Sequence, residues 1–365
     1  MLGRVGLCAR RPGLLILAIV IVTVAPMAPA TSVNRPVAGA RGTAMTPQKA
    51  GIAELMRSYN PATGLIGKSW WQAAVALSTV ETYQQATGDT RYRRVISAAF
   101  ADHKAGHFED AYNDDTGWWG LAWLQAYTMT GDKAYLAMAE TDAGYIHRSW
   151  TGACGGGVWW STARTYKNAI TNELFLELTA WLHNSIRGDT KYLGWATAEW
   201  DWFRHSGMIN PAGVINDGLT AHCANNHEPT WSYNQGVLLA GLAQLYKATK
   251  KRELLRTAEA IGTAAIRRLT VRGVLHEPCT GAECGSNAGG DGQSFKGIFV
   301  QDLKVLAITA RTSEFAGFFR RQARSIEAYD MDCQHQLGMV WSGPLTGRTS
   351  YSQASAEDAL IAALS

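Results

Sequence analysis

A short phrase recurs three times in this chain, as Thr87-Gly88-Asp89-Thr90-Arg91-Tyr92, Thr130-Gly131-Asp132-Lys133-Ala134-Tyr135 and Arg187-Gly188-Asp189-Thr190-Lys191-Tyr192. In each copy the glycine can end one helix in a left-handed conformation, the aspartate can cap the next, and the tyrosine packs one turn on. Thr249-Lys250-Lys251 and Thr312-Ser313-Glu314 hold equivalent places without the glycine, which makes five tight helix-to-helix turns.

Between those turns apolar residues recur at helical spacing, as in Ala76, Val80 and Tyr83, or Leu174, Phe175, Leu178 and Leu182, and no run alternates as a strand would. The spacing predicts twelve helices, near 47–58, 70–86, 89–103, 116–130, 132–147, 170–186, 189–205, 232–248, 251–268, 296–311, 314–332 and 352–364. The tight turns alternate with six longer connections, near 59–69, 104–115, 148–169, 206–231, 269–295 and 333–351. A closed ring of helical hairpins gives that alternation, with every long loop on one face; an open helical solenoid would give it too. One large domain is expected over residues 46–365.

The long loops and their borders collect the chemistry. They hold Trp70, Trp71, Trp118, Trp119, Trp150, Trp159, Trp160, Trp231 and Trp341. Among them stands Asn113-Asp114-Asp115-Thr116-Gly117-Trp118-Trp119, two adjacent carboxylates beside two indoles at a helix entry. Carboxylate pairs break glycosidic bonds and indoles bind sugars. A helix cap would account for one aspartate and leave the second unexplained, so capping and catalysis both stay open on the residues alone. Adjacent α-carbons about 3.8 Å apart can bring two carboxyls to the roughly 5 Å separation of retaining glycosidases. In such a pair one group is ionised as nucleophile and its charge keeps the proton on the other.

Three further clusters border the same loops. Gly155-Gly156-Gly157-Val158-Trp159-Trp160 precedes Tyr166-Lys167-Asn168-Ala169-Ile170-Thr171-Asn172; no lysine-serine or lysine-threonine pair follows the glycines, so a sugar cleft fits better than a nucleotide cradle, with one of Trp159 and Trp160 facing it. Asp217-Gly218 and Trp231-Ser232-Tyr233-Asn234-Gln235-Gly236 offer groups that orient sugar hydroxyls, with Ser232 as a cap. Asp291-Gly292-Gln293-Ser294-Phe295-Lys296-Gly297 starts another helix, with Asp291 read as a turn residue or a substrate contact.

The N-terminus, with Arg4, Arg10 and Arg11, the apolar run Leu14 to Ala25 and then Ala28-Pro29-Ala30, has the pattern of a secretory signal over residues 1–30, followed by a Pro/Gly/Ala/Thr-rich leader over 31–45. The net charge of +4 falls to about +1 once those three arginines leave with no acid lost, so composition points to neither nucleic acid nor membrane as a partner. An exported chain keeps Cys154, Cys223, Cys279, Cys284 and Cys333, of which Cys279 and Cys284 close a small loop and are the expected disulfide. Neither these nor the nine histidines fall at zinc-ligand spacing, and no Gly-x-Ser-x-Gly elbow is present; no metal and no cofactor are expected.

Taken together, Asp114-Asp115-x-x-Trp118-Trp119-x-Leu121-Ala122-Trp123, Gly155-Gly156-Gly157-x-Trp159-Trp160, Lys167-Asn168-Ala169-Ile170-x-Asn172, Trp231-x-Tyr233-Asn234-Gln235-Gly236 and Phe295-Lys296-Gly297-Ile298-Phe299 resemble glycoside hydrolase family 76, the endo-alpha-1,6-mannanases. The resemblance runs from about residue 46 to the end. It implies an all-α (alpha/alpha)6 barrel and cleavage within alpha-1,6-linked mannan with retention of configuration. It also implies Asp114 as nucleophile and Asp115 as acid/base. Substrate contacts are expected from Trp118, Trp119, Trp159, Trp160, Lys167, Asn168, Asn172, Asp217, Tyr233, Asn234, Phe295 and Lys296. The expected protein is a secreted monomer whose partner is mannan or a mannooligosaccharide. Fungal-wall members of the family point to transfer onto a sugar acceptor as the enzymatic alternative. A non-catalytic carbohydrate-binding protein would need no adjacent acids, and a polysaccharide lyase would use a tyrosine, histidine or arginine instead.

Overall fold

The fold is given by a computed structural model in which residues 46–278 and 290–364 are described. Twelve α-helices run through those residues: α1 (Pro47–Leu55), α2 (Trp70–Thr87), α3 (Arg93–His103), α4 (Asn113–Thr130), α5 (Lys133–His147), α6 (Ala169–Ser185), α7 (Lys191–Phe203), α8 (Ser232–Thr249), α9 (Arg252–Leu269), α10 (Gly292–Ala310), α11 (Ala316–Tyr329) and α12 (Ser350–Ala362). Strand is confined to two tiny antiparallel hairpins. In one, β1 (Tyr59–Asn60) pairs with β2 (Leu65–Ile66) in the register Tyr59 to Ile66; in the other, β3 (Thr270–Val271) pairs with β4 (Val274–Leu275), Thr270 facing Leu275. No helix of the described residues is long and apolar enough to cross a membrane.

The even-numbered helices pack side by side in a ring, and α12 closes it against α2. Side chains fix the closure: the Thr79 hydroxyl of α2 donates to Asp358 of α12 at 3.1 Å. Helix α1 then lies outside α12, where Gln48 Nε2 donates to the Leu360 carbonyl (3.2 Å) and Gln353 Nε2 to that of Gly51 (3.1 Å). Odd-numbered helices form the outer layer, with α5 on α4, α7 on α6, α9 on α8 and α11 on α12. The chain thus builds an (α/α)6 barrel rather than an open solenoid.

The two layers differ in sequence for a physical reason. An inner helix has neighbours on every side, so it is buried all round; every residue from Lys167 to Ala180 at the start of α6 is buried, Glu173 and Glu177 included. An outer helix meets the ring along one stripe, as α9 does through Leu254, Leu255, Ala258, Ile261 and Ala265.

The recurring turns follow their sequence in part: α3 is entered from Tyr92 and α7 from Thr190, so Asp89 and Asp189 are not their caps. Helices α2 and α4 end on Gly88 (φ 74°) and Gly131 (φ 72°) in the left-handed region, and Asp132 caps α5 by accepting from the Ala134 N–H at 2.9 Å. Where glycine is missing, Lys250 (φ 60°) and Arg311 (φ 56°) take the same conformation at the ends of α8 and α10. In the third copy α6 ends on the extended Ile186, and Gly188 lies inside the turn.

Because each short turn closes the end of an inner helix, all six inner helices begin on the long-loop face and run parallel. Their N-termini ring one mouth of the barrel, and their aligned dipoles favour negative charge there. Two inner-helix starts moved by three residues or more on that face: α4 starts at Asn113 rather than near 116, and α10 at Gly292 rather than near 296. The loops there are tied by a Cys154–Cys223 disulfide joining the connections before α6 and α8, and Cys333 is also disulfide-bonded. The expected Cys279–Cys284 bond lies outside the described residues.

Candidate active site

Helix α4 starts where it does because Asn113 ties its first turn to the loop before α6. The Asn113 N–H donates to the Trp160 carbonyl (2.8 Å), and its side-chain amide donates to the Trp159 carbonyl (2.8 Å) and to Ser149 Oγ (3.0 Å). Tyr112 holds the capping position. Asp114 and Asp115 are therefore not the cap; they are the second and third residues of the helix, and both stand at its positive end.

The two carboxyls have unequal surroundings. Trp160 Nε1 donates to Asp114 Oδ2 at 3.1 Å, while Asp114 Oδ1 is buried and has no hydrogen-bond partner. Burial pushes Asp114 up to about 7, a rise restrained by the Trp160 indole and by the backbone amides of Asp114 and Asp115. For Asp115, burial and then the charges of Asp114, Asp110 and Asp291 push the carboxyl up to about 8, and no donor opposes them. The protons leave in two steps that belong to the pair. The hydrogen-bond donors stand on Asp114, which makes it the better suited of the two to carry the charge.

Replacing Trp160 by phenylalanine keeps the ring and removes the donor. The Asp114 pKa should rise by about one unit, since a hydrogen bond to a charged group is worth about 1.5–3 kcal/mol. The acid limb of the activity profile should move to higher pH by that amount, read from kcat/KM against pH.

The tryptophan couples split in a regular way. Consecutive helical residues point roughly 100° apart, so one of each couple faces the barrel axis. Trp71 and Trp118 do so and stack at 5.8 Å; Trp70 and Trp119 turn away and meet at 4.8 Å in an aromatic core with Phe108 and Trp123. Trp71 Nε1 donates to Asp291 Oδ1 at 3.2 Å, which brings a third carboxylate toward the pair. Tyr233 stacks on Phe295 at 3.8 Å, and Trp231 meets Phe295 edge-on at 5.6 Å. Opposite, the Tyr166 hydroxyl donates to Asp217 Oδ2 (2.5 Å) and accepts from Asn226 Nδ2 (2.8 Å). Burial raises the Asp217 carboxyl, with Tyr166 and the buried Asn234 amide opposing.

Asp114, Asp115 and Trp118 thus lie in the first turns of α4, Tyr233 and Asn234 in the first turn of α8 and Phe295 in that of α10, with Trp160 and Asp217 in the long loops at the same end of the barrel. Four residues expected to touch substrate are occupied elsewhere. Trp119 is fully buried in the aromatic core, on the wrong face of α4. Lys167 points its ammonium into its own loop, donating to the carbonyls of Ala153 (2.7 Å), Gly157 (2.8 Å), Thr151 (3.3 Å) and Gly156, beneath the Trp159 ring. Asn172 accepts from the Val158 N–H (2.8 Å) and donates to the Val158 (3.1 Å) and Asn168 (2.7 Å) carbonyls. Lys296 donates to the Met339 carbonyl (2.6 Å) against the Trp341 ring. The two lysines and Asn172 each hold a loop that borders the site. Trp159 is likewise pinned, its indole donating to Thr151 (3.0 Å), and Asn168 pairs its backbone with Gly218 at the start of α6.

The triple glycine has a packing cause. A Cβ on Gly156 or Gly157 would come within 2.8 and 2.5 Å of the Trp202 indole, and both residues have positive φ. Asn226 lies outside the sequence motifs, whereas Asn113 directly precedes the acid pair and Tyr166 directly precedes Lys167. Lys167→Met should orphan its four carbonyls and cost about 3 kcal/mol or more, seen as a melting temperature lower by about 5 °C or more. Among the described residues no group of three or more His, Cys, Asp or Glu is placed to hold a metal ion.

The profile of glycosyl hydrolase family 76 matches residues 48–364. A putative mannan endo-1,6-alpha-mannosidase of Schizosaccharomyces pombe is 28% identical over 273 residues, 68% of this chain and 61% of its own length. The mannan endo-1,6-alpha-mannosidase DCW1 of Candida albicans is 28% identical over 219 residues, 55% of this chain and 48% of its own. The chain therefore spans about half to three-fifths of the curated relatives it matches. Among solved structures, an inactive variant of the alpha-1,6-mannanase GH76A of Salegentibacter sp. HEL1_6, with two consecutive aspartates replaced and alpha-1,6-mannotetrose bound, superposes with a TM-score of 0.78 at 22% identity, covering 87% of this chain and 98% of that one. Dfg5 of Chaetomium thermophilum, in complex with glucosamine, gives 0.74 at 23% identity, with 87% and 88% covered.

Proposed function

The chain belongs to glycosyl hydrolase family 76, and from that premise we propose that it is an exported, retaining endo-alpha-1,6-mannosidase acting through a covalent mannosyl-enzyme. The carrying observation is the asymmetry of the pair: Asp114 has the Trp160 indole at 3.1 Å and helix amides, whereas like charges surround Asp115. One residue is thereby suited to bear charge and the other to keep a proton.

Asp114 Oδ1, free of the bond that holds Oδ2, attacks the anomeric carbon while Asp115 gives its proton to the departing glycosidic oxygen. The products of that step are a shortened mannan alcohol and a β-linked mannosyl ester on Asp114. Asp115, now a carboxylate, takes a proton from water; the hydroxide oxygen displaces Asp114 and the new hemiacetal is the α anomer. The stacked Tyr233–Phe295 pair and the Trp71–Trp118 pair offer ring faces to the sugars on either side. The S. pombe and C. albicans relatives are described as mannan endo-1,6-alpha-mannosidases, and the Salegentibacter variant lost activity when two consecutive aspartates were replaced, the same adjacency as Asp114 and Asp115. Export rests on the signal pattern of the first 30 residues.

The test is product analysis on linear alpha-1,6-mannan with proton NMR of the first anomer. New reducing ends appearing as the α form are expected, and products longer than the substrate would reveal transfer to a sugar. Binding without any new ends would favour the carbohydrate-binding reading, and β first would overturn retention.

A further inference from the structure

A second cavity, of about 590 Å³, lies on the barrel axis beyond Trp118. Its upper wall is formed by Val75, Trp118 and Ile298, one turn deeper along α2, α4 and α10 than Trp71, the aspartate pair and Phe295. From there it runs between the C-terminal halves of the inner helices to the short-turn face, where Gln85, Ala86, Thr128, Lys247 and Ile308 on its rim are exposed. Leu121, on the inward side of an inner helix, is nonetheless partly exposed, because the space beside it is reached from solvent. The cavity thus has its own entrance, opposite the catalytic mouth.

Its lining is unlike a packing defect. Six helices contribute, and the wall combines two indoles (Trp118 and Trp181) with Ser78 and the amides of Gln125, Gln244 and Gln301. Three carboxyls complete it: Glu177, Asp302 and Asp358 are 4%, 9% and 2% exposed, and each keeps a buried oxygen (Oε2, Oδ2 and Oδ1 respectively) without a hydrogen-bond partner. They are not grouped to chelate a metal ion. Lys247 and Lys304 on the same wall disfavour an organic cation. Burial raises all three carboxyls well above the ordinary range, with Asp302 adding to the rise of Glu177 and Asp358. The Ser78 hydroxyl and the three side-chain amides carry the donors and acceptors that a sugar hydroxyl needs, and indole faces take the C–H face of a sugar ring. The volume falls in the roughly 300–1,000 Å³ range of small-molecule sites.

We propose that this far-end cavity is a second carbohydrate site, taking a neutral sugar of mono- or disaccharide size through the short-turn face. It stands on its own lining; only the choice of alpha-1,6-mannobiose as first probe rests on the mannan reading. The experiment titrates Asp114→Asn protein, which does not turn sugar over, with alpha-1,6-mannobiose and separately with maltose by calorimetry. A saturable site is expected that survives Phe295→Ala in the catalytic cleft and is lost in Leu121→Trp, which fills the cavity, and in Ser78→Leu. Hydrogen exchange of the Asp114→Asn protein, with no substitution at the far end, should show mannobiose slowing amides near 300–309. If neither disaccharide shows a site sensitive to the far-end substitutions and exchange near 300–309 is unchanged, the cavity holds water only and the proposal is overturned. Loss of cleft binding with far-end binding intact would sink the mannan reading and leave this one standing.

Discussion

Asp114→Asn should lower kcat on linear alpha-1,6-mannan by about 10⁴-fold or more, because it removes the nucleophile and with it the covalent intermediate. Asp115→Asn should cost about 10²–10⁴-fold on the same polymer, the usual worth of a positioned proton donor. The two differ on an aryl mannoside whose leaving group needs no proton: Asp115→Asn should recover most of the glycosylation rate there, and Asp114→Asn none. Steady-state rates on both substrates, with mass spectrometry for a mannosylated protein, decide the matter. Equal and small losses would show that the pair is not the catalytic centre. In the unmodified protein kcat/KM should follow a bell, rising as the pair loses its first proton near about 7 and falling as it loses the second near about 8.

The same substitutions should stabilise the protein in alkali. Both aspartates have folded pKa values raised above an unfolded value near 3.9, so their protonated forms suit the fold. The sign follows: below about pH 4 both states are protonated and nothing is lost. As pH rises the unfolded chain ionises first, and stability falls until the folded groups ionise at about 7 and about 8. At pH 8 that penalty is on the order of 2–4 kcal/mol for Asp114 alone. An Asp114→Asn, Asp115→Asn double variant should therefore melt higher than the native chain at pH 8 and with nearly equal midpoint at pH 4, as scanning calorimetry would show. Destabilisation at pH 8 would mean the carboxylates are held charged, against the surroundings described for them. The site thus trades stability for chemistry, which a helix cap would not do.

What the sequence disclosed and what it concealed divide along physical lines. The twelve helices were legible because a helix buried along a stripe or all round repeats its apolar residues every three or four positions, and because the Gly-Asp turns mark where one stops. Turns at Lys250 and Arg311 were legible only by their spacing, since exposed basic residues carry no turn signature. The start of α4 was not: it comes three residues early because Asn113 bonds to a loop some 46 residues on, a contact no local pattern contains. The site motifs brought the right segments together but not the right side chains. Adjacent tryptophans read alike in sequence, yet helix geometry sends Trp118 to the axis and Trp119 to the core. Lys167 and Lys296 read as substrate contacts through the motifs that carry the resemblance; their partners are carbonyls of Ala153 and Met339, and backbone acceptors leave no trace in the amino-acid code.

Ring closure has a bearing on how the chain comes to be folded. The bonds that seal the barrel join residues 279, 312 and 302 positions apart: Thr79 to Asp358, Gln48 to Leu360 and Gln353 to Gly51. Loop-closure entropy delays such contacts, and the last inner helix is also the last to be synthesised. Until it arrives, α2 and α10 each present an uncovered apolar flank, so an emerging chain is an open arc that pairs helix by helix and cannot seal. The ring is complete only when its first and last inner helices meet.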